Sequence, residues 1–166
     1  MSEDLEKLPQ QAAEKKSQNQ RFLKRLKARP PRELDALMQD LHEAEFRRTD
    51  CLACANCCKT TGPLFTGADI ERIAARLRLK PGVFVSRYLR LDEDGDYVLQ
   101  QLPCPFLGAE NYCQIYDHRP KACREYPHTD RKKFHQISGL TLKNTAICPA
   151  AFRIVEEMKR RLPGYL

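Results

Sequence analysis

The sequence predicts a small, mainly helical fold with minor β structure and long irregular loops stapled by metal, preceded by a helical extension. Three observations predict it. Apolar residues recur at helical spacing in several separate stretches. Proline and glycine interrupt the chain often, with 11 Pro and 7 Gly in 166 residues. All eight cysteines fall between Cys51 and Cys148. The length suits one domain plus an extension better than two full domains. Cys51 opens a new regime, so we divide the chain into an N-terminal helical extension (1–50) and a cysteine-bearing domain (51–166).

The elements follow in order. Residues 1–29 are rich in Gln, Lys and Glu, with Leu5, Leu8, Phe22, Leu23 and Leu26 as sparse apolar positions. This predicts a solvated helix or a loosely ordered tail whose removal leaves stability almost unchanged. Pro30-Pro31 ends it. Arg32 to Arg48 carries Leu34, Leu37, Met38, Leu41 and Ala44, an amphipathic helix whose stripe must pack on the cysteine domain or on a partner chain. Residues 51–65 read as a loop around a site, with Gly62-Pro63 as breaker. Thr66 and Asp69 resemble a capping box that opens a helix through Leu79. Pro81 begins a second short helix to about Leu89. Asp92 to Asp96 suggests a calcium loop, but the sixth and twelfth positions hold Tyr97 and Pro103 where Gly and Glu are required. Asp94-Gly95 is instead a hairpin turn leading into a strand from Tyr97 to Leu102. Cys104 to Cys148 is irregular, apart from a short helix after Arg119-Pro120 that carries Cys123 and a strand over Lys132 to Ile137. Pro149 starts the last helix, with Ala151, Ile154, Val155, Met158 and Leu162 on one face.

Composition narrows the function. The apolar share is 42% and the mean hydropathy −0.62, thin for a core but not a disordered composition. No uncharged stretch, Ala146 to Phe152 among them, approaches the roughly 20 residues a membrane helix needs. The acidic start, Met1-Ser2-Glu3-Asp4, lacks the apolar region of a secretory signal, so the expected location is cytoplasmic. The net charge is +7, of which only +1 lies in residues 1–50. The basic residues are dispersed and not interleaved with aromatics, which argues against nucleic acid. Arg and Lys near metal-bound thiolates offset their negative charge.

In a reduced compartment clustered thiols hold metal rather than disulfides. Cys51-x2-Cys54-x2-Cys57-Cys58 is the densest cluster. A two-residue gap lets the backbone curl so that two sulfurs face one ion, and thiolates suit zinc and iron. C-x2-C-x2-C is also the three-cysteine run of a bacterial-type [4Fe–4S] cluster, whose remote ligand is a Cys-Pro. Cys104-Pro105 and Cys148-Pro149 both supply that dipeptide. The candidate ligands are therefore Cys51, Cys54, Cys57, Cys58, Cys104, Cys113, Cys123 and Cys148, for Zn2+ or an iron–sulfur cluster. One site or two remain open at this stage, and so does a free thiol at Cys57 or Cys58. Near and far cysteines are expected to converge, with Cys104 or Cys148 joining the first cluster.

The run Cys51 to Cys58 resembles the signature of the YkgJ-like cysteine-cluster proteins, the zinc- or iron-chelating CxxCxxCC family. Cys104-Pro105-Phe106-Leu107, Cys113-Gln114-Ile115-Tyr116, Arg119-Pro120-x2-Cys123-Arg124 and Cys148 match in order. The resemblance covers residues 51 to about 150 and departs from the family at Ala55, where glycine is common. It implies a cytoplasmic bacterial protein that binds metal or an iron–sulfur cluster. Within the motif, Arg119 and Arg124 are candidates for bonding metal-bound thiolates or an anionic ligand. Three functions compete: a metal or cluster protein for storage, redox or sensing; a zinc-stapled module that binds a protein or nucleic-acid partner; and an iron–sulfur-dependent modification enzyme or its accessory. No G-x-G-x-x-G, Walker A, H-E-x-x-H or G-x-S-x-G is present.

Overall fold

The computed structural model describes residues 2–166, with side chains from Asp4 onward. The helices are α1 (Ser2–Ala28), α2 (Leu34–Phe46), α3 (Cys51–Cys54), α4 (Asn56–Thr60), α5 (Gly67–Arg76), α6 (Pro81–Tyr88), α7 (Lys121–Glu125), α8 (Ser138–Asn144) and α9 (Pro149–Arg161). The strands are β1 (Leu64–Phe65), β2 (Leu89–Leu91) and β3 (Tyr97–Leu99). The fold is mainly α with minor β, as expected. Among the described residues no helix is long and apolar enough to cross a membrane. The chain forms two compact units: residues up to Cys54 together with 127–166, and residues 55–126. The helices before Cys51 thus share a unit with the C-terminal helix.

The first unit is helical. Phe22, Leu23 and Leu26 of α1, Leu34 and Met38 of α2, and Val155 and Met158 of α9 form one buried core with Phe134. The α2 stripe is therefore buried within this unit. α1 is no solvated tail, which corrects the expectation: Leu8, Ala12, Phe22, Leu23 and Leu26 are all buried. The stripe is polar where Asn19 completes it, and Asn19 is also buried. Its Oδ1 accepts from Lys159 Nζ at 2.8 Å, and Gln18 Oε1 accepts from the same ammonium at 2.7 Å. A buried cation satisfied by side-chain oxygens is tolerated where an unpaired one is not. Glu45 is the second polar anchor. It accepts from Arg153 Nε at 2.6 Å, Arg48 Nε at 2.9 Å and Thr49 Oγ1 at 3.0 Å. Burial pushes its carboxyl up, but these donors outweigh it and hold the pKa below the usual glutamate value.

The expected strand over 132–137 is a 3-10 turn, Phe134–Ile137. Lys133 takes a left-handed φ of 56°, which no strand continues through. The Asp35 carboxylate then accepts from the N–H groups of Lys133 at 2.7 Å and Phe134 at 3.1 Å. α8 follows in a stretch expected to be irregular. The expected loop at 51–65 also contains the short helices α3 and α4.

The second unit packs α5 and α6 on an antiparallel sheet of order β1-β3-β2. Thr66 caps α5 through a reciprocal box with Asp69. The helix stops at Arg76, short of Leu79, because Arg78 adopts φ 57°. Leu79 N donates to Ala74 O and Arg78 N to Ala75 O, a Schellman ending with arginine in the glycine place. β2 and β3 flank the acidic turn, where Asp92 Oδ1 accepts from the N–H groups of Asp94 and Asp96 and Gly95 supplies φ 82°. β3 ends at Leu99, earlier than expected, because its last partner is Leu89, the first residue of β2. An aromatic group fills the core: Phe84 and Phe106 stack at 6.2 Å, and Tyr88 lies 5.0 Å from Phe106.

Phe22 is fully buried. Phe22→Ala should therefore cost about 3–5 kcal/mol of stability in urea unfolding, and deletion of residues 2–28 should abolish the cooperative transition of the first unit.

Candidate metal centre

The second unit gathers thiols from four separate places. Cys58 stands on α4, Cys104 and Cys113 on the loops after the sheet, and Cys123 on α7. Each loop thiol is followed two residues later by a buried apolar anchor, Phe106 after Cys104 and Ile115 after Cys113. Cys104 N donates to Cys58 O at 2.8 Å, tying that loop to α4. Leu107 pairs with Cys113 in an isolated antiparallel bridge, and Gln114 N donates to Phe106 O at 2.8 Å. Gly108 permits this turn: a Cβ there would meet Tyr112 O at 3.2 Å, closer than most side chains are found.

The electrostatics describe a crowded set of potential anions. Burial pushes the Cys104 thiol up to about 11, and the sulfurs of Cys58 and Cys113 add to the rise. Burial pushes Cys123 up to about 12, with Cys58, Cys104 and Cys113 all adding. Cys113 is raised by burial and then by Cys58. Cys58 runs the other way, lowered to about 7 by a hydrogen bond from Cys57 and, further down, by the charge of Lys59, against a desolvation cost. Backbone N–H groups already face these sulfurs: Phe106 and Leu107 donate toward Cys104, and Ile115 toward Cys113. Such donors stabilise a thiolate and aim its lone pairs.

Asp69 places Cys123. Its carboxylate is buried and accepts from Thr66 N at 3.0 Å, Arg72 at 2.7 Å and Lys121 N at 3.1 Å. Lys121 N is the first N–H of α7, so the cap of one helix also holds the start of the helix that carries Cys123. Arg72 continues the brace, donating to His118 O at 3.3 Å and Arg119 O at 3.0 Å. Burial pushes the Asp69 carboxyl up, yet these donors hold its pKa below the ordinary aspartate value. The capping box was visible in sequence; Arg72 and the reach to Lys121 were not, because they join segments about 50 residues apart. Arg119 and Arg124 turn to the same backbone: Arg119 donates to Tyr116 O at 2.6 Å and lies 3.9 Å over that ring, and Arg124 donates to Arg119 O at 3.1 Å. The Arg119 charge also lowers the pKa of Cys113 and Cys123, so it acts on both sulfurs through space.

The first unit holds the other group. Cys51 and Cys54 occupy the single turn α3 at i and i+3. Cys148 caps α9, its Sγ accepting from Ala151 N at 3.5 Å. Burial pushes Cys148 up to about 11, and Cys51 and Cys54 raise it further. The expected convergence of near and far cysteines has an electrostatic counterpart only: Cys148 is raised by Cys51 and Cys54, and Cys104 by Cys58 and Cys113. Cys57, beside Cys58 on α4, donates to it. None of the eight cysteines is joined in a disulfide.

Soft sulfur donors, half-buried and mutually repelling once ionised, fit a thiophilic cation. Among the described residues no three His, Cys, Asp or Glu side chains are close enough to hold an ion as they stand. Fold and site together define a small helical protein of the cysteine-cluster class. Residues 50–146, more than half of the chain, match the CxxCxxCC family, and the chain belongs to it; the family's descriptive name proposes a zinc- or iron-chelating domain. No curated protein and no solved structure matches the chain significantly.

In the metal-free protein at pH 7, Cys58 should be the first of the second unit's thiols to react with iodoacetamide and Cys123 the last, as read by mass mapping. Asp69→Ala removes the carboxylate half of the capping box and the anionic partner of Arg72, which keeps its bonds to the carbonyls of His118 and Arg119, at a cost of about 2–3 kcal/mol. The same change should expose Cys123 to alkylation. Because the folded Asp69 pKa is depressed, its contribution is complete above the unfolded value near 4 and is lost as pH falls through the folded one.

Proposed function

We propose that this chain is a cytoplasmic metal protein whose principal centre is held by Cys58, Cys104, Cys113 and Cys123, serving metal handling, redox or sensing. The observation that carries this reading is the electrostatic influence that those four sulfurs, all within the second unit, exert on one another. Four thiolates complete the shell of a structural zinc ion and equally suit a [4Fe–4S] cluster. A bound zinc would supply a cross-link between loops, and a cluster would supply one-electron chemistry as well. The chain's own part is to present the sulfurs. Phe106 and Ile115 fix the loops in the aromatic core, backbone N–H groups orient Cys104 and Cys113, and Asp69 with Arg72 sets the start of α7. Eight free thiols accord with a reducing compartment.

Anaerobic purification followed by zinc, iron and sulfide analysis tests this. Bound metal is expected, with a brown chromophore if a cluster is present and none if zinc is. A chain isolated free of both metals that also refuses them on titration would overturn the reading. Zinc affinity should also depend steeply on pH. Cys104, Cys113 and Cys123 are neutral thiols at pH 7 because their pKa values are raised. Binding must release their protons, so apparent affinity rises with pH, on the order of a thousandfold per unit near neutrality. Competition with a chromophoric chelator between pH 6.5 and 7.5 measures it.

A further inference from the structure

Taken over the whole chain the basic residues are dispersed, but along α1 they are not. Residues 15–32 hold Lys15, Lys16, Arg21, Lys24, Arg25, Lys27, Arg29 and Arg32, and no Asp or Glu. The net charge of +1 over residues 1–50 conceals this, because residues 1–14 carry −3 and residues 33–50 carry −4 on either side of a segment of +8. The fold then orients the segment. Phe22, Leu23 and Leu26 are buried in the core of the first unit, and all eight basic residues are exposed. Arg29 N donates to Arg25 O at 3.0 Å, which carries the helical pattern one residue past α1. Arg21, Arg25 and Arg29 therefore stand four apart on one ridge, with Lys24 and Lys27 beside it at three-residue spacing. From Lys15 to Arg29 the helix runs about 21 Å. Tyr165 pins its end: the hydroxyl donates to Arg29 O at 2.8 Å, and the carbonyl accepts from Arg25 Nη1 at 3.4 Å.

Stability does not account for this charge. Like charges three or four apart on a helix repel one another. Among the described residues none of the eight joins an ion pair. The helix dipole favours cations in the last turn, where Arg25 and Lys27 stand, but it does not reach back to Lys15, Lys16 or Arg21. An outside anion would offset the repulsion, and its kind follows from what the face lacks. No exposed large hydrophobic residue lies between 15 and 32. The face thus has no apolar side chain to enter a bilayer and no apolar centre for a protein interface. Phe22, the one aromatic residue of the segment, is buried, so unpaired bases find nothing to stack on. What remains is a row of cations with the exposed polar side chains of Ser17 and Gln20 among them, the donors that meet the phosphates of a duplex.

We propose that the outer face of α1 binds the phosphate backbone of a double-stranded nucleic acid without reading its sequence. This reverses the expectation drawn from the basic residues of the whole chain. It does not rest on the metal reading, because α1 carries no cysteine.

The test is fluorescence anisotropy of the full-length protein, purified under reducing conditions, with a labelled duplex DNA of mixed sequence and with its RNA counterpart. Wild type is expected to bind with a Kd of about 1–100 μM at physiological salt, and five engaged cations give a slope of about −4 in log affinity against log salt. Glutamine is a good helix former, so Arg21→Gln/Arg25→Gln/Arg29→Gln keeps the helix, as circular dichroism would verify. That triple variant should reduce the salt slope by about 3, and Lys24→Gln/Lys27→Gln, the second variant, by about 2. Arg76→Gln/Arg87→Gln/Arg90→Gln removes the same charge from exposed positions of the second unit and should leave the slope unchanged. The tighter of the DNA and RNA arms names the duplex. No binding by wild type even at about 50 mM salt would overturn the proposal. Equal losses in the two triple variants would also overturn it, since binding would then belong to the net charge of the whole chain. Phosphatidylserine vesicles or polyglutamate bound as tightly as the duplex, at equal charge concentration, would transfer the face to a membrane or an acidic protein.

Discussion

Sulfur crowded into a half-buried place is the constraint on which the second unit depends. A thiol there is a poor hydrogen-bonding group, and a thiolate there is a desolvated charge beside other thiolates. Cys104, Cys113 and Cys123 all answer by holding their protons well above neutrality. That arrangement adds little to the stability of the metal-free chain. It becomes favourable when a cation replaces the protons, because the binding free energy of such a site is folding free energy. The sheet is short, with strands of two and three residues. Loops as long as those between Leu99 and Lys121 have few apolar residues to order them, so Phe106 and Ile115 in the core and sulfur ligation beyond it are what remains.

The first unit meets the opposite situation. Its core is ordinary helical packing, continuous from Phe22 through Met38 to Met158. Its buried charges, Glu45 and Lys159, are satisfied partly by near neighbours in sequence (Arg48, Thr49 and Glu156) and partly by side chains brought from distant sequence (Arg153, Gln18 and Asn19). Glu45 in particular takes hydrogen bonds from Arg48 and Thr49, just past the end of its own helix, and from Arg153 of α9. The core of this unit is complete without any cysteine.

Much of this was legible in the sequence where short-range chemistry governs. The capping box at Thr66 and Asp69, the helix opened by Pro149 and the Asp94-Gly95 turn each depend on residues within a few positions of one another. α1 was misread because its apolar residues are sparse and its stripe is completed by Asn19, a polar residue buried only because Lys159 comes to meet it. The strand over 132–137 was misread for a similar reason: Asp35, nearly 100 residues away, takes the N–H groups that a strand would have given to a neighbour. The eight cysteines were visible as a metal pattern, but their partition was not. Spacing along the chain says which sulfurs are close in sequence, whereas Cys58 finds Cys104, Cys113 and Cys123 only through the packing of the loops.

The partition turns on one residue. The boundary between the units falls between Cys54 and Ala55, inside the run of four cysteines. Ala55 has φ 47° and sits as the N-cap of α4, so the helical ladder of α3 does not continue through it. A left-handed alanine costs about 1–2 kcal/mol relative to right-handed backbone. Glycine, which the resemblance leads one to expect here, would relieve that strain. It would also give up a buried methyl, about 0.8 kcal/mol, and the lower chain entropy of alanine, about 0.5–1 kcal/mol. The two sides nearly cancel, so alanine is tolerated at a position whose backbone favours glycine. What the position requires is the break itself, because an unbroken helix from Cys51 to Thr60 would place the sulfurs of Cys51, Cys54 and Cys58 along one face, at i, i+3 and i+7. The left-handed residue is what keeps Cys51 and Cys54 on one helical turn and Cys57 and Cys58 on another.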